Sequence, residues 1–341
     1  MAPRVSVILP AYNAATSVGR AIASIRAQSL PDWELIVIDD GSGDETAAAA
    51  SAAAAADARV RVVTRPHEGL VAALNAGLAA ARAPLIARMD ADDESHPERL
   101  AEQAAFLDRS PDAGLTGCLV EFAGDRNASA GYALHVDWIN SITSPEEIAL
   151  NRFIETPFAH PSVMFRRALV DAHGGYRAGD FPEDYELWLR WLAAGVRMAK
   201  VQRPLLRWHD AATRLSRTDP RYSPEAFFRL KAEWVAHALR TENHLDGRRL
   251  YVWGAGRPTR KRAAHLETHG LPIAGYVDID PRKQTRALGG TGRPVLSPDA
   301  LPPPSAAFVL GYVTSRGARD LIRDALRLRQ FSEGTDFLLC G

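Results

Sequence analysis

The sequence is poor in cysteine, with two residues, Cys118 and Cys340, among 341. They lie far apart in the chain, and each belongs to an apolar run typical of a β-strand. This disfavours a scaffold held by disulfides, because such scaffolds carry several closely spaced cysteines. We expect a reduced, cytoplasmic protein with two core thiols and no redox chemistry.

The sequence also lacks an excess of charge of either sign, since 41 Lys and Arg residues balance 41 Asp and Glu residues. This balance gives no electrostatic case for nucleic acid or an anionic membrane as the main partner. No window approaches the roughly 18 consecutive apolar residues of a membrane span, and the start of the chain has no signal-type apolar core. We therefore expect no integral span, while peripheral association stays open.

Strand-like apolar runs alternate with helical patterns along the first hundred residues. The predicted strands cover residues 5–9, 33–38, 59–65 and 84–89. Such alternation predicts an α/β fold with right-handed βαβ crossovers and a mostly parallel sheet flanked by helices. Between residues 123 and 159 the pattern loses its regularity, and a loop of that length is usually functional.

A second strand and helix pattern begins near residue 249, and a chain of this length exceeds one usual hydrophobic core. We predict a first domain over residues 1–222, a bridging helix and linker over 223–245, and a smaller Rossmann-like α/β domain over 246–341. In the last of these, Gly254-Ala255-Gly256 supplies two of three dinucleotide-fingerprint glycines, and Asp278 ends the next strand. Structural or docking roles and nucleotide binding all stay open for it.

Polar residues follow three of the predicted strands, at Tyr12-Asn13, Asp39-Asp40 and Asp90 to Asp93. In parallel sheets ligands bind beyond the carboxyl ends of the strands, so these residues should converge on one crevice. An Asp-x-Asp pair after a buried strand can hold one divalent cation, with Asp92 as direct ligand and Asp90 bound through a water. The alternative is an acidic turn that caps the following helix.

Two further acids, Glu183 and Asp184, begin a predicted helix with an apolar face. Carboxylates in a first helical turn are often present for the helix dipole alone. His209, taken alone, is more often a structural histidine than a ligand.

The stretches 5–13, 35–42 and 89–93, together with Glu183-Asp184, resemble the family 2 glycosyltransferases. The resemblance covers roughly residues 3 to 215. It implies a GT-A fold, a nucleotide-sugar donor that is most often UDP-linked, a divalent metal, Mn²⁺ or Mg²⁺, and inversion at the anomeric carbon. The resemblance also implies that the enzyme is a glycosyltransferase of the hexosyl- or N-acetylhexosaminyl-transferase type.

The resemblance also implies roles for individual residues. The nucleobase and ribose would be surrounded by Pro10, Tyr12, Asn13 and Asp39. Asp40 would support that pocket, and Asp90 would lie toward the ribose and diphosphate. Asp92 and Asp90 would bind the metal, His209 matches a position near the diphosphate and metal, and Asp93 would orient the loop. Asp184 would be the catalytic base, with Glu183 and His160 on the acceptor side.

The chain departs from the family pattern at two places. The run from Arg65 to Leu70 replaces a longer asparagine- and glycine-rich stretch, which leaves Arg65 and Asn75 as candidates for donor contacts. The helix after Asp184 reads Leu189-Arg190-Trp191 without the glutamine of the processive members. We therefore expect a non-processive enzyme that adds one sugar to a hydroxyl of a glycan, glycolipid or protein.

Two other functions compete with this one. A sugar-phosphate nucleotidyltransferase would need a glycine-rich basic loop after the first strand, and Pro10-Ala11-Tyr12-Asn13 is not one. A catalytically silent module that binds nucleotide sugars is the second alternative, and the intact motifs argue against it.

Overall fold

The computed structural model of the chain describes residues 2–210, 214–284, 292–315 and 317–341. The chain divides into two compact units. The first unit contains residues 1–149, 156–179 and 183–218, and the second contains residues 150–155, 180–182 and 219–341. The predicted division at residues 222 and 245 stays a prediction, because compactness alone does not establish independent folding.

The first unit is built around one sheet, and three of its strands end at the polar motifs described above. The strands are β1 (Val5–Ala11), β2 (Trp33–Asp39), β3 (Val60–Thr64), β4 (Leu85–Arg88), β5 (Glu94–Ser95), β6 (Ala113–Ala123), β7 (Met164–Arg166) and β8 (Arg197–His209). The helices are α1 (Val18–Arg26), α2 (Thr46–Ala56), α3 (Leu70–Ala80), α4 (Arg99–Arg109), α5 (Ala130–Ser141), α6 (Pro145–Asn151), α7 (Ala168–His173), α8 (Glu183–Ala193) and α9 (Leu215–Thr218).

The sheet order is β3-β2-β1-β4-β7-β6-β8-β5. Four strand pairs are parallel, and the three pairs β4 with β7, β6 with β7 and β5 with β8 are antiparallel within the described residues. The α/β class is confirmed, and the sheet is mixed because β7 enters between β4 and β6 in the opposite direction. The parallel half, β3-β2-β1-β4, carries the acidic strand ends.

Strand β1 shows how the sheet is covered on both faces. Val5, Val7 and Leu9 pack into one apolar layer, while Ile8 packs into the other. Side chains alternate between the faces of a strand, so an apolar residue at nearly every position places this strand between two layers of helices. The strand is buried along its whole length and ends at Ala11, and the candidate site residues follow that end.

The expectation of an irregular loop between residues 123 and 159 is wrong. Helices α5 and α6 occupy much of this range. Ala133, Val136 and Ile139 of α5 are buried at a spacing of three residues, which gives the helix one apolar stripe against the core. Histidine and tryptophan between these positions obscure the stripe in the sequence.

The second unit contains a smaller parallel sheet in the order β11-β10-β9-β12-β13. Its strands are β9 (Arg249–Trp253), β10 (Ile273–Val277), β11 (Val295–Leu296), β12 (Ala307–Gly311) and β13 (Phe337–Leu339), and its helices are α10 (Pro224–Thr241), α11 (Arg257–Thr268), α12 (Pro281–Gln284) and α13 (Ala318–Leu328). A second α/β unit is therefore confirmed, and its Rossmann-like character stays a prediction. Across the described part of the chain, every helix is too short or too polar to cross a bilayer.

Helix α10 holds the two short segments that the second unit takes from the middle of the chain. The buried ammonium group of Lys231 donates to the carbonyl oxygens of Ile154 at 2.8 Å and Cys340 at 3.0 Å. The guanidinium of Arg229 donates to the carbonyl oxygen of Asp180 at 3.1 Å. Residues 150–155 and 180–182 are thus each hydrogen-bonded to this helix.

The glycine turn of the second unit uses its acidic residue internally. Asp278 accepts the backbone N–H of Ala255 at 2.8 Å and forms an ion pair with Lys283 at 2.9 Å. In a dinucleotide site the acid at this place is needed for the ribose hydroxyl. Nucleotide binding by this unit stays a prediction without support from these contacts.

Candidate active site

The carboxyl ends of β1, β2 and β4 lie side by side. The parallel register places Ala11 opposite Asp39 and Ile8 opposite Arg88. The residues after these strand ends therefore share one edge of the sheet, as the sequence predicts.

Three aspartates after β4 form an acidic cluster. Asp90, Asp92 and Asp93 each offer a carboxylate oxygen, and these oxygens lie within 4.8 Å of one another. Burial, followed by repulsion from Asp90, raises the pKa of Asp92 and raises that of Asp93 well above its ordinary value. Carboxylates so close together favour a bound cation, which relieves their repulsion.

Asp93 has a second feature that suits a cation. Its Oδ1 accepts the backbone N–H of His209 at 2.8 Å, whereas its buried Oδ2 has no hydrogen-bond partner among the described residues. A buried carboxylate oxygen without a partner is costly. The three aspartates thus fit a divalent metal, and Asp93 also ties the acidic loop to the end of β8.

Asp90 lies between two arginines. The buried guanidinium of Arg88 forms an ion pair with Oδ1, and Nη2 of Arg214 lies 3.9 Å from Oδ2. Neither arginine follows from the sequence motifs. The signal for Arg88 is a charged residue that ends an otherwise apolar strand, LIAR.

His209 lies near the acidic cluster but is not a member of the group that could share one ion. Its Nε2 is 2.7 Å from Oε1 of Glu94, which also lies 3.3 Å from Nε of Arg20. Because an ionised carboxylate only accepts hydrogen bonds, Nε2 carries a proton and Nδ1 is left for another contact.

Tyr12 and His67 form an exposed aromatic pair beyond β1. Their ring centroids are 4.0 Å apart and the planes differ by 19°. The sequence motifs do not indicate His67, whose Nδ1 lies 2.8 Å from Oδ2 of Asp40. Gly41 has a φ of 75°, and a Cβ there would meet the backbone nitrogen of His67 at 2.7 Å, so this close approach requires glycine.

Asp39 and Asp40 differ in their surroundings, although both are buried. Asp40 accepts the backbone N–H groups of Glu68 at 3.3 Å and Gly69 at 2.8 Å. Asp39 accepts the N–H of Ser42 at 3.3 Å. Asp40 therefore supports the neighbouring loop, and Asp39 keeps acceptor capacity for a ligand.

The remaining donor-side candidates are placed as follows. Pro10 lies in the buried end of β1. Asn13 has a φ of 49°, and its side-chain oxygen accepts the N–H of Gly43 at 2.9 Å.

Arg65 forms an ion pair with Glu68 and lies 3.6 Å from Asp40. The amide group of Asn75 exchanges hydrogen bonds with the backbone of Tyr176 at 2.9 and 3.1 Å, so a donor contact for Asn75 stays a prediction without geometric support.

The predicted base, Asp184, lies in the first turn of α8 beside Glu183. Burial, followed by the negative charge of Glu183, raises the pKa of Asp184 to about 7. A carboxylate with a pKa near neutrality is a stronger general base than an ordinary one, and about half of it is ionised at pH 7.

His160 completes the acceptor-side residues. It is buried, with Nε2 2.8 Å from the hydroxyl oxygen of Tyr176 and Nδ1 3.8 Å from Oε1 of Glu183. Burial, followed by repulsion from Arg88, lowers the pKa of His160 well below its ordinary value. A neutral His160 therefore orders the residues that surround the base.

Sequence comparison gives one family for the first unit. The family model of Glycosyl transferase family 2 matches residues 6–174. The chain is 34% identical to the putative glycosyltransferase EpsE of Bacillus subtilis over 230 residues, 65% of this chain and 78% of that protein. It is 30% identical to the O-antigen biosynthesis glycosyltransferase WbnJ of Escherichia coli over 220 residues, 62% of this chain and 82% of that protein.

Structure comparison agrees on the fold. The crystal structure of S. aureus TarS residues 1–349 in complex with UDP-GlcNAc is similar with a TM-score of 0.54 and 17% identity. The match covers 79% of this chain and 82% of that one.

Proposed function

The chain belongs to glycosyltransferase family 2, and from that membership we propose that it transfers a single sugar from a UDP-linked donor to a hydroxyl acceptor, with inversion. The observation that carries this proposal is the pairing of a three-aspartate cluster after β4 with a base, Asp184, whose pKa is raised to about 7. The first can hold the donor, and the second can activate the acceptor.

The donor side would use the strand ends of β1, β2 and β4. Tyr12 offers a ring face for the nucleobase, and Asp39 can accept its imide hydrogen. A divalent metal, Mn²⁺ or Mg²⁺, held by Asp92 and Asp90 with Asp93 beside them, would offset the charge of the leaving diphosphate. Arg214 and His209 lie beside this cluster and would contact the same diphosphate.

The acceptor side would use the start of α8. Asp184 takes the proton of the acceptor hydroxyl, which then attacks the anomeric carbon opposite the leaving group. Attack from that face inverts the configuration and needs no covalent sugar intermediate. Glu183 raises the basicity of Asp184, and His160 with Tyr176 shapes the surrounding pocket.

The acceptor class is proposed from the relatives. WbnJ is named for O-antigen biosynthesis, and ExoU of Rhizobium meliloti, 34% identical over 211 residues, is named for succinoglycan biosynthesis. We infer a growing glycan or glycolipid as acceptor before a protein, and a cytoplasmic location, with which the two buried free thiols agree.

Incubation with a panel of UDP- and GDP-sugars, Mn²⁺ or Mg²⁺ and glycan acceptors, followed by mass spectrometry, tests the proposal. We expect a product larger by one sugar and none from Asp92→Asn or Asp184→Asn, with circular dichroism unchanged. Donor hydrolysis or transfer that persists in Asp184→Asn would remove that residue from the base role. Pyrophosphate release from a nucleoside triphosphate and a sugar phosphate would instead establish the nucleotidyltransferase alternative.

A further inference from the structure

Helix α1 carries polar side chains that the sequence motifs do not include. One face of the helix packs into the core through four buried residues, Val18, Ala21, Ile22 and Ile25. Arg20 and Ser24 lie four residues apart on the helix, so their side chains share another side of it. Gln28, just past the end of the helix, continues this row. A helix fixed by its apolar face holds such polar side chains at defined positions.

Arg20 contacts the chain around the acidic cluster in two places. Its Nη2 donates to the carbonyl oxygen of Asp92 at 3.0 Å, and its Nε lies 3.3 Å from Oε1 of Glu94. The same carboxylate oxygen lies 2.7 Å from Nε2 of His209. Arg20 therefore joins the backbone of the acidic cluster to the pair formed by Glu94 and His209.

Ser24 and Gln28 hold the residues that follow the acidic cluster. Oγ of Ser24 accepts the backbone N–H of Ser95 at 3.0 Å. The amide group of Gln28 donates to Oγ of Ser95 at 3.1 Å and to the carbonyl oxygen of His96 at 2.8 Å. Because Ser95 belongs to β5, at the edge of the sheet beside β8, these hydrogen bonds tie the edge strand to α1.

The acidic cluster is thus held from two sides. The backbone N–H of His209, at the end of β8, donates to Asp93 at 2.8 Å, and Arg20 of α1 binds the carbonyl oxygen of Asp92. Three carboxylates so close together repel one another when they are ionised. A backbone held on both sides keeps them together for one cation.

We propose that Arg20 is a positioning residue of the donor site, which holds Asp92 and the pair of Glu94 and His209 where a divalent cation and the donor diphosphate bind. This inference rests on the proposed function of the acidic cluster. As a cation, Arg20 acts through these residues and not as a ligand of the metal. Its side chain is 45% exposed, and an exposed ion pair contributes little to folding, so replacement of Arg20 should leave the fold intact.

The test compares Arg20→Met with Arg26→Met. Arg26 is the matched control, because it lies on the same helix, has a side chain that is 40% exposed, and pairs with Asp57 at 3.5 Å instead. Electron paramagnetic resonance of free Mn²⁺ gives the metal affinity in the presence of UDP. Hydrogen exchange of the backbone amides of Ser95 and His209 is followed by NMR in the full-length protein without metal or nucleotide.

We expect Mn²⁺ to bind about tenfold more weakly to Arg20→Met, because groups that orient metal ligands contribute roughly 10- to 100-fold to metal affinity. The two amides should exchange about fivefold faster in that variant, since loss of an exposed ion pair eases a local opening by up to about that factor. Arg26→Met should match the wild type in both measurements. The midpoint of urea unfolding should stay close to that of the wild type in both variants, which separates this role from a purely structural one.

Unchanged amide exchange in a folded Arg20→Met protein would overturn the inference, and so would unchanged Mn²⁺ affinity where the wild type binds the ion. If that variant does not fold, Arg20→Gln, which is neutral but retains a hydrogen-bond donor, decides the question with the same measurements. A wild type that binds no Mn²⁺ with UDP, together with faster exchange in Arg20→Met, would contradict the proposed metal site alone, since the exchange is measured without metal.

Discussion

The imidazole ring of His67 lies nearly parallel to the phenol ring of Tyr12, with their centroids 4.0 Å apart. Both side chains remain accessible, and Tyr12 is 48% exposed. Asp40 anchors the imidazole through its Nδ1 at 2.8 Å. His67 therefore covers one face of the Tyr12 ring, and in the proposed function the nucleobase would stack on the other face.

Replacement of His67 by Ala should weaken UDP binding about fivefold, because Tyr12 loses the ring that fixes its orientation. Stacking of a base on an aromatic side chain contributes roughly 1–3 kcal/mol, and loss of the supporting ring should cost the lower end of that range. Titration calorimetry with UDP measures the effect. His67→Phe should bind UDP as tightly as the wild type does. Replacement of the exposed His237 by Ala serves as the control. UDP affinity in His67→Ala equal to that of the wild type would contradict the stacked arrangement.

The rate of transfer should depend on pH through Asp184. Since the pKa of this carboxyl is raised to about 7, the base is protonated below that pH and kcat should fall about tenfold per unit there. Glu183→Gln removes the charge that helps to raise this pKa, so the acid limb should move to lower pH. A profile of kcat between pH 5 and 9 shows both effects, and a limb that stays in place in Glu183→Gln would exclude the coupling.

Glu94→Gln should weaken Mn²⁺ binding in the presence of UDP by about tenfold. Carboxylates that hold a histidine at a metal site typically contribute 10- to 100-fold in affinity, and Glu94 holds His209 at 2.7 Å. Electron paramagnetic resonance of free Mn²⁺ gives the affinity directly. Glu98→Gln, which removes a surface ion pair with Arg203, is the control. Unchanged Mn²⁺ affinity in Glu94→Gln would mean that the charge of Glu94 does not support metal binding through His209.

Arg190→Met should lower the free energy of unfolding by about 3–5 kcal/mol, because it leaves the buried carboxylate of Glu186 without its main partner. Arg190 contacts Glu186 at 2.9 Å and donates to the carbonyl oxygen of Gly175 at 2.7 Å. Urea unfolding measures the loss. Arg177, which is 59% exposed and 3.4 Å from the same carboxylate, provides the control, and Arg177→Met should cost at most about 1 kcal/mol.

The sequence predicts the parallel half of the sheet well because strands covered on both faces read as unbroken apolar runs. The same runs locate the ends at which Asp39 and Asp90 to Asp93 occur. Strand β7, by contrast, has three residues, and nothing in so short a run tells that it pairs in the opposite direction.

The supporting residues of the site could not be predicted in the same way. His67 reaches Tyr12 because a loop folds back over Gly41, and Arg88 matters because of the charges that the fold brings around it. The contact of His67 joins residues that are distant in the chain and leaves no local pattern, and the only sequence signal for Arg88 is its charge at the end of an apolar strand.

The two segments hydrogen-bonded to α10, residues 150–155 and 180–182, lie in the middle of the chain but belong to the same unit as its carboxyl-terminal third. A fragment that ended at residue 222 would lose Lys231 and Arg229, the hydrogen-bond donors to Ile154 and Asp180. The second of these segments runs directly into Glu183. Recombination that exchanged this third between relatives would therefore replace both donors, and a folded chimera would have to preserve the hydrogen bonds to Ile154 and Asp180.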